Sequence, residues 1–157
     1  MSDTGNACFT LDAALEQAVE MENRIYREFL SAIRKVMNKG AIAILRDAAI
    51  GKLESKHLLE KALLEGDIES TELHEPVPTM QLDSHYGKES LSYDADSRAA
   101  LAYAIHLVTG SVNYYREMAG ACAGAPMSPV FAKISGDQTT LLQRLEDAYE
   151  EHFLTEN

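Results

Sequence analysis

Apolar residues recur at alternating intervals of three and four through four stretches of the chain, the period of an amphipathic helix. The first stretch runs from about Leu11 to Asn38 and ends at the turn signal NKG; the second runs from about Ala41 to Glu65 and stops at Gly66. The third starts near Ser97, with Asp94 or Asp96 as N-cap, and ends before GACAGAP. The fourth takes Ser128 as N-cap and Pro129 as first helical residue, and runs to about Phe153. Between the second and third lies DIESTELHEPVPTMQLDSHYGKESLSYDAD, with two prolines and no sustained period. Two short loops and one long one predict an all-α four-helix bundle, two antiparallel hairpins joined by a long crossover at about 67–96. Residues 1–157 form a single domain on this reading.

Each helix then has a seam expected to face the bundle axis. Helix 1 gives Leu11, Leu15, Ala18, Glu22, Ile25, Phe29, Ala32 and Val36, apolar but for one glutamate. Helix 2 gives Ala43, Asp47, Ile50, Glu54, His57, Lys61 and Leu64, widened by the apolar neighbours Ala49, Leu53 and Leu58. Helix 3 gives Leu101, Ile105, Val108, Val112, Tyr115, Ala119 and Cys122; helix 4 gives Phe131, Ile134, Gln138, Leu141, Leu145, Ala148 and His152.

Composition changes little in that picture. With 46% hydrophobic and 25% charged residues the chain has enough apolar material for a core, and its net charge of -11 argues against nucleic acid or an anionic membrane surface as partner. No basic segment precedes an apolar run and no uncharged stretch is long enough to span a bilayer, so the expected location is the cytoplasm. Cys8 and Cys122 are too few and too far apart for a CxxC metal site or a disulfide framework, and read as buried or merely tolerated thiols.

The candidate chemistry lies on the first two seams. An isolated buried carboxylate needs a cation, a proton or a hydrogen-bonding partner, and Glu22 has candidates in Glu54 and His57 on the neighbouring helix. Counted from Gly40, Glu22 stands 18 residues before and Glu54 14 after, a mismatch of about 6 Å at about 1.5 Å per residue, within side-chain reach. Tyr114 and Tyr115 read most simply as core and boundary aromatics, although Tyr115 on the seam could give its hydroxyl to a buried carboxylate. His106 and Asp137 are expected to point away from the axis, His74 and His85 to be solvated crossover residues, and EDAYEEH to form a solvated acidic face.

With ALEQAVEMENRIYREFLSAI, LESKHLLEKALLEG, ALAYAIHLVTGSVNYYREMAG and PVFAKISGDQTTLLQRLEDAYEEHF as its four helices, the chain resembles the rubrerythrin-like proteins of the ferritin-like di-iron carboxylate superfamily over most of its length. The resemblance implies a ferritin-like bundle and a metal site in which Glu22 matches the helix 1 carboxylate, Glu54 the bridging carboxylate and His57 the imidazole. Val108 stands in place of the helix 3 glutamate, and Gln138 and Leu141 in place of the second Glu-x-x-His. No paired CxxC motif of the kind the family's rubredoxin domain carries occurs in these 157 residues.

The resemblance thus implies a half-retained site. Glu22, Glu54 and His57, with water or Gln138, would hold one divalent ion, with iron, manganese and zinc all open. An oxidoreductase ancestry is implied, with substrate and redox partner unspecified. The competing reading is a non-enzymatic bundle that has lost metal and serves in assembly or partner binding. A homodimer that supplies missing ligands across its interface is a third.

Overall fold

The computed structural model describes residues 10–66, 73, 75–82 and 91–154. Its helices are α1 (Leu11–Lys35), α2 (Lys39–Glu65), α3 (Ser97–Ala121) and α4 (Met127–Tyr149), followed by a π-helical turn at Glu150–Leu154. No strand occurs among the described residues.

The helix starts follow local side-chain chemistry. Thr10 Oγ1 accepts from Ala13 N at 3.2 Å, Asn38 Oδ1 from Ala41 N at 2.9 Å, and Asp96 Oδ1 from Ala99 N at 2.9 Å, each satisfying a donor that the first turn leaves open. Gly66 closes α2 in the left-handed conformation at φ 84°, where a side chain would be strained. The start of α4 differs from expectation. The helix begins at Met127 with Pro126 in the cap position and no side-chain cap, so Ser128 is not the N-cap. Its hydroxyl donates instead to Ala119 O at 2.8 Å, tying the first turn of α4 to the last turn of α3.

Packing is strongest within the pairs α1–α2 and α3–α4, with α2 also lying against α3. Phe29 of α1 meets Tyr103 of α3 edge-on, and Tyr115 of α3 stacks on Phe131 of α4. Gly40 of α2 comes so close to Ser97 of α3 that a β-carbon there would collide with the serine hydroxyl. The seams expected for α1, α3 and α4 are mostly buried, from Leu15 and Phe29 through Ile105 and Val112 to Ile134 and Leu145. Cys122, at the C-cap of α3, is disulfide-bonded, which corrects its reading as a tolerated thiol; Cys8 lies outside the described residues.

The described part of the crossover runs along α4. Gly136 lets Pro76 rest on the helix, where a β-carbon would stand 2.8 Å from the proline ring. Thr139 Oγ1 accepts from Val77 N at 2.9 Å, and the Glu146 carboxylate accepts from Met80 N at 2.6 Å and Leu82 N at 3.0 Å. Gln81 between those two donors takes a positive φ of 57°, which turns both N–H groups toward one carboxylate. Glu146 is fully buried, so the solvated face expected for EDAYEEH does not include it. Among the described residues no helix is long and apolar enough to cross a membrane.

Candidate functional site

Halfway along the bundle the apolar core gives way to a polar cluster to which every helix contributes. Glu22 comes from α1, Lys52 and Ser55 from α2, Ser111 and Tyr115 from α3, and Asp137 and Gln138 from α4, all buried. At its centre is the Lys52 ammonium. It stands 3.1 Å from Glu22 Oε1 and donates to Ser111 Oγ at 2.9 Å and Gln138 Oε1 at 2.6 Å. An ammonium has three N–H donors, and three acceptors surround this one.

The surrounding groups are linked in turn. Tyr115 donates its hydroxyl to Glu22 Oε2 at 2.7 Å and lies 3.2 Å from Ala18 O. Gln138 Nε2 donates to Ser55 Oγ at 3.0 Å and approaches Asp137 Oδ2 at 3.4 Å, while the Ser111 hydroxyl donates to Val108 O at 2.8 Å. Glu22 Oε1 receives no well-directed hydrogen bond; its compensation is the charge of the ammonium beside it. A carboxylate buried without that charge would be strongly disfavoured.

Burial disfavours the charged form of Lys52 and lowers its pKa from 10.5, against the opposing pull of the Glu22 carboxylate and, less, of Asp137. Burial also lifts the Tyr115 hydroxyl well above its usual 10.0, and the Glu22 carboxylate that accepts its hydrogen bond adds to the effect. Tyr115 is thus held as a neutral donor, a buried core aromatic that also gives its hydroxyl to the carboxylate.

The four residues expected to share a metal do not come together. Glu22 and Gln138 are buried in the cluster, but Glu54 and His57 are exposed on the opposite side of α2. The expected seam of α2 is out of register: the buried stripe is Ala41, Leu45, Ala48, Lys52, Ser55, Leu59 and Ala62. Glu54 is two positions beyond Lys52, and at about 100° per residue that is about 200° around the helix. Ile50 and Leu64, which make the other stripe look apolar, are in fact exposed.

The donor set does not fit a divalent ion. Among the described residues no three His, Cys, Asp or Glu side chains gather where they could hold a metal. The interior carboxylate of Glu22 faces a covalently attached cation, and the Gln138 carbonyl oxygen is committed to the same cation. Val108 and Leu141 are buried apolar side chains, as their identities require. Asp137, expected to point outward, is buried, because α4 is enclosed on one side by the bundle and on another by the crossover. His106 is half-buried beside a groove between α1 and α3, and His74 and His85 lie outside the described residues. No family model, curated protein or solved structure matches the chain.

Lys52 is the residue that reading by seams missed. A signal was present: the stripe through Ala41, Leu45, Ala48, Lys52, Ser55, Leu59 and Ala62 has one charge, whereas the stripe through Glu54 has four titratable groups in Asp47, Glu54, His57 and Lys61. A single lysine in an apolar seam, opposite a single glutamate in the next, is a charge pair waiting to be matched.

Proposed function

We propose that this chain is a non-catalytic four-helix scaffold of ferritin-like, rubrerythrin-like descent, in which the Lys52 ammonium takes the role of a bound metal ion, and that it acts by assembly or partner binding. The observation that carries this reading is the position of Lys52 Nζ, 3.1 Å from Glu22 Oε1 and 2.6 Å from Gln138 Oε1. A metal in such a bundle neutralises buried carboxylate charge and ties helices together; Lys52 does both with a tethered cation. Its ammonium donates to Ser111 and Gln138, lies against the Glu22 carboxylate and is fully buried, so it is not presented to any substrate as a nucleophile or base.

The ferritin-like arrangement is supported by the order of contacts. Tyr115 reaches Ala18 and Glu22, while Tyr103, twelve residues earlier, reaches Glu28 and Phe29. That is the opposed run of α1 and α3 which two antiparallel hairpins joined by a crossover produce.

Metal content per chain, measured by elemental mass spectrometry on protein purified without an affinity tag, tests the reading. The expected result is no stoichiometric iron, manganese or zinc, and a melting temperature that chelator does not move. About one equivalent of metal that disappears in Glu22→Ala would overturn it.

A further inference from the structure

The outward stripe of α2 carries a protruding side chain and a groove of complementary character. Leu64 is 89% exposed and Ile50 47% exposed, high values for large apolar side chains in a helix whose other face is buried. Both lie on the stripe Ala43, Asp47, Ile50, Glu54, His57, Lys61, Leu64, whose threes and fours make one continuous helix face. At the Ile50 end this face borders a groove of about 380 Å³ between α2 and α4, where Gly51, Leu141 and Leu145 supply apolar wall and Glu54 part of the rim.

The stripe is complementary to itself when reversed about His57. Leu64 lies seven residues beyond His57 and Ile50 seven before it; Lys61 lies four beyond and Glu54 three before. A twofold axis at His57 with the two helices antiparallel therefore sets leucine against isoleucine and groove about 10 Å on either side of the axis, and ammonium against carboxylate about 5 Å from it, at about 1.5 Å per residue. Within the chain Lys61 pairs with Glu65 at 3.8 Å, with both side chains largely in solvent, a loose contact that a better-placed carboxylate can replace.

We propose that two copies of this chain associate through their α2 faces, antiparallel about His57, with Leu64 of each copy entering the groove beside Ile50 of the other and Lys61 of each meeting Glu54 of the other. The proposal deepens the assembly reading, on which it rests, by naming the partner as a second copy. The Glu-x-x-His on this helix then belongs to an interface: Glu54 anchors the charge pair and His57 sits at the axis.

Sedimentation velocity of the full, tag-free chain over a concentration series, with and without chelator, tests it. The expected species is a dimer indifferent to chelator. Leu64→Asp, Glu54→Lys and Lys61→Glu should each weaken the dissociation constant by about tenfold or more, and the combined Glu54→Lys, Lys61→Glu chain should recover most of that loss. All three side chains are exposed, so helical circular dichroism should be unchanged in every variant. A monomer at all concentrations, a dimer unaffected by Leu64→Asp, or a charge swap no better than its single parents would overturn the interface. A metal-free monomer would overturn the dimer alone; a dimer that holds metal and falls apart in chelator would overturn both the interface and the metal-free reading.

Discussion

The Lys52 ammonium and the Glu22 carboxylate stand 3.1 Å apart with neither side chain accessible to solvent. Desolvating two charges is expensive, and their attraction offsets that expense only while both are present. The pair is therefore a constraint more than a source of stability: it forbids arrangements of the helices that separate the two groups.

Removing one partner should be far worse than removing both. Lys52→Met leaves Glu22 buried without its cation and is expected to lower stability by about 3–5 kcal/mol, or roughly 10 °C in melting temperature for a chain of this size. Glu22→Leu combined with Lys52→Met should recover most of that loss, because Tyr115 keeps Ala18 O as an acceptor and Gln138 keeps Ser55. Urea titrations of the three variants form the double-mutant cycle, and a combined loss equal to the sum of the singles would refute the pairing.

The same cluster sets a stability profile in alkali. The folded pKa of Lys52 lies below 10.5, chiefly through burial, so between that value and 10.5 the unfolded chain holds the proton that the folded chain has released. Stability contributed by this group accordingly rises with pH through that window. Tyr115 acts in the opposite sense. Burial and the Glu22 carboxylate raise its folded pKa well above 10.0, so above pH 10 the unfolded chain loses its phenolic proton first and stability falls. Denaturation midpoints taken between pH 8 and 11 should show a flatter rise in Lys52→Met and a shallower fall above pH 10 in Tyr115→Phe.

The helices were legible because capping and period are local. Asp96 and Gly66 do what such residues do in any chain, and the α1 seam from Leu15 to Val36 holds one polar side chain, so its register has no competitor. The α2 seam was ambiguous for a physical reason. Its buried stripe is rich in alanine and interrupted by Lys52, while the large Ile50 and Leu64 sit outside it, so single large apolar residues mark both faces even though the buried one carries fewer charges. Small residues are buried there because α2 lies close against both α1 and α3, as at Gly40 and Ser97, and that closeness is a tertiary fact which no single helix reveals. The interior carboxylate at Glu22 was legible; its partner was not, because a lysine is ordinarily read as solvent-facing.

Exposure of Glu54 and His57 makes a sharp prediction about the Glu-x-x-His motif. Glu54→Ala with His57→Ala should change unfolding free energy of the monomer by no more than about 0.5 kcal/mol, the usual range for surface substitutions, and should leave the alkaline profile of Lys52 in place. Had the two residues shared a buried ion with Glu22, the same double substitution would cost several kcal/mol. Urea denaturation with and without chelator, at concentrations low enough to keep the chain monomeric, separates the outcomes.

The crossover owes its course to two residues of α4 that face away from the polar cluster. Glu146 gathers the N–H groups of Met80 and Leu82 on one buried carboxylate, and Gly136 leaves room for Pro76 a few turns earlier. Glu146→Ala strands two backbone donors where the sharp bend at Gln81 has aimed them, and should cost about 2–4 kcal/mol if the segment stays in place. The cheaper response is for the segment to leave, because water can then solvate both donors. Hydrogen exchange should therefore accelerate at Met80 and Leu82 in Glu146→Ala while Lys52 and its neighbours on α2 remain protected. Gly136→Ala pushes on the rigid proline ring rather than on the donors, so it should open the segment around Pro76 and Val77 first. Equal acceleration across α2 and the crossover in either variant would show that the crossover and the bundle unfold as one unit.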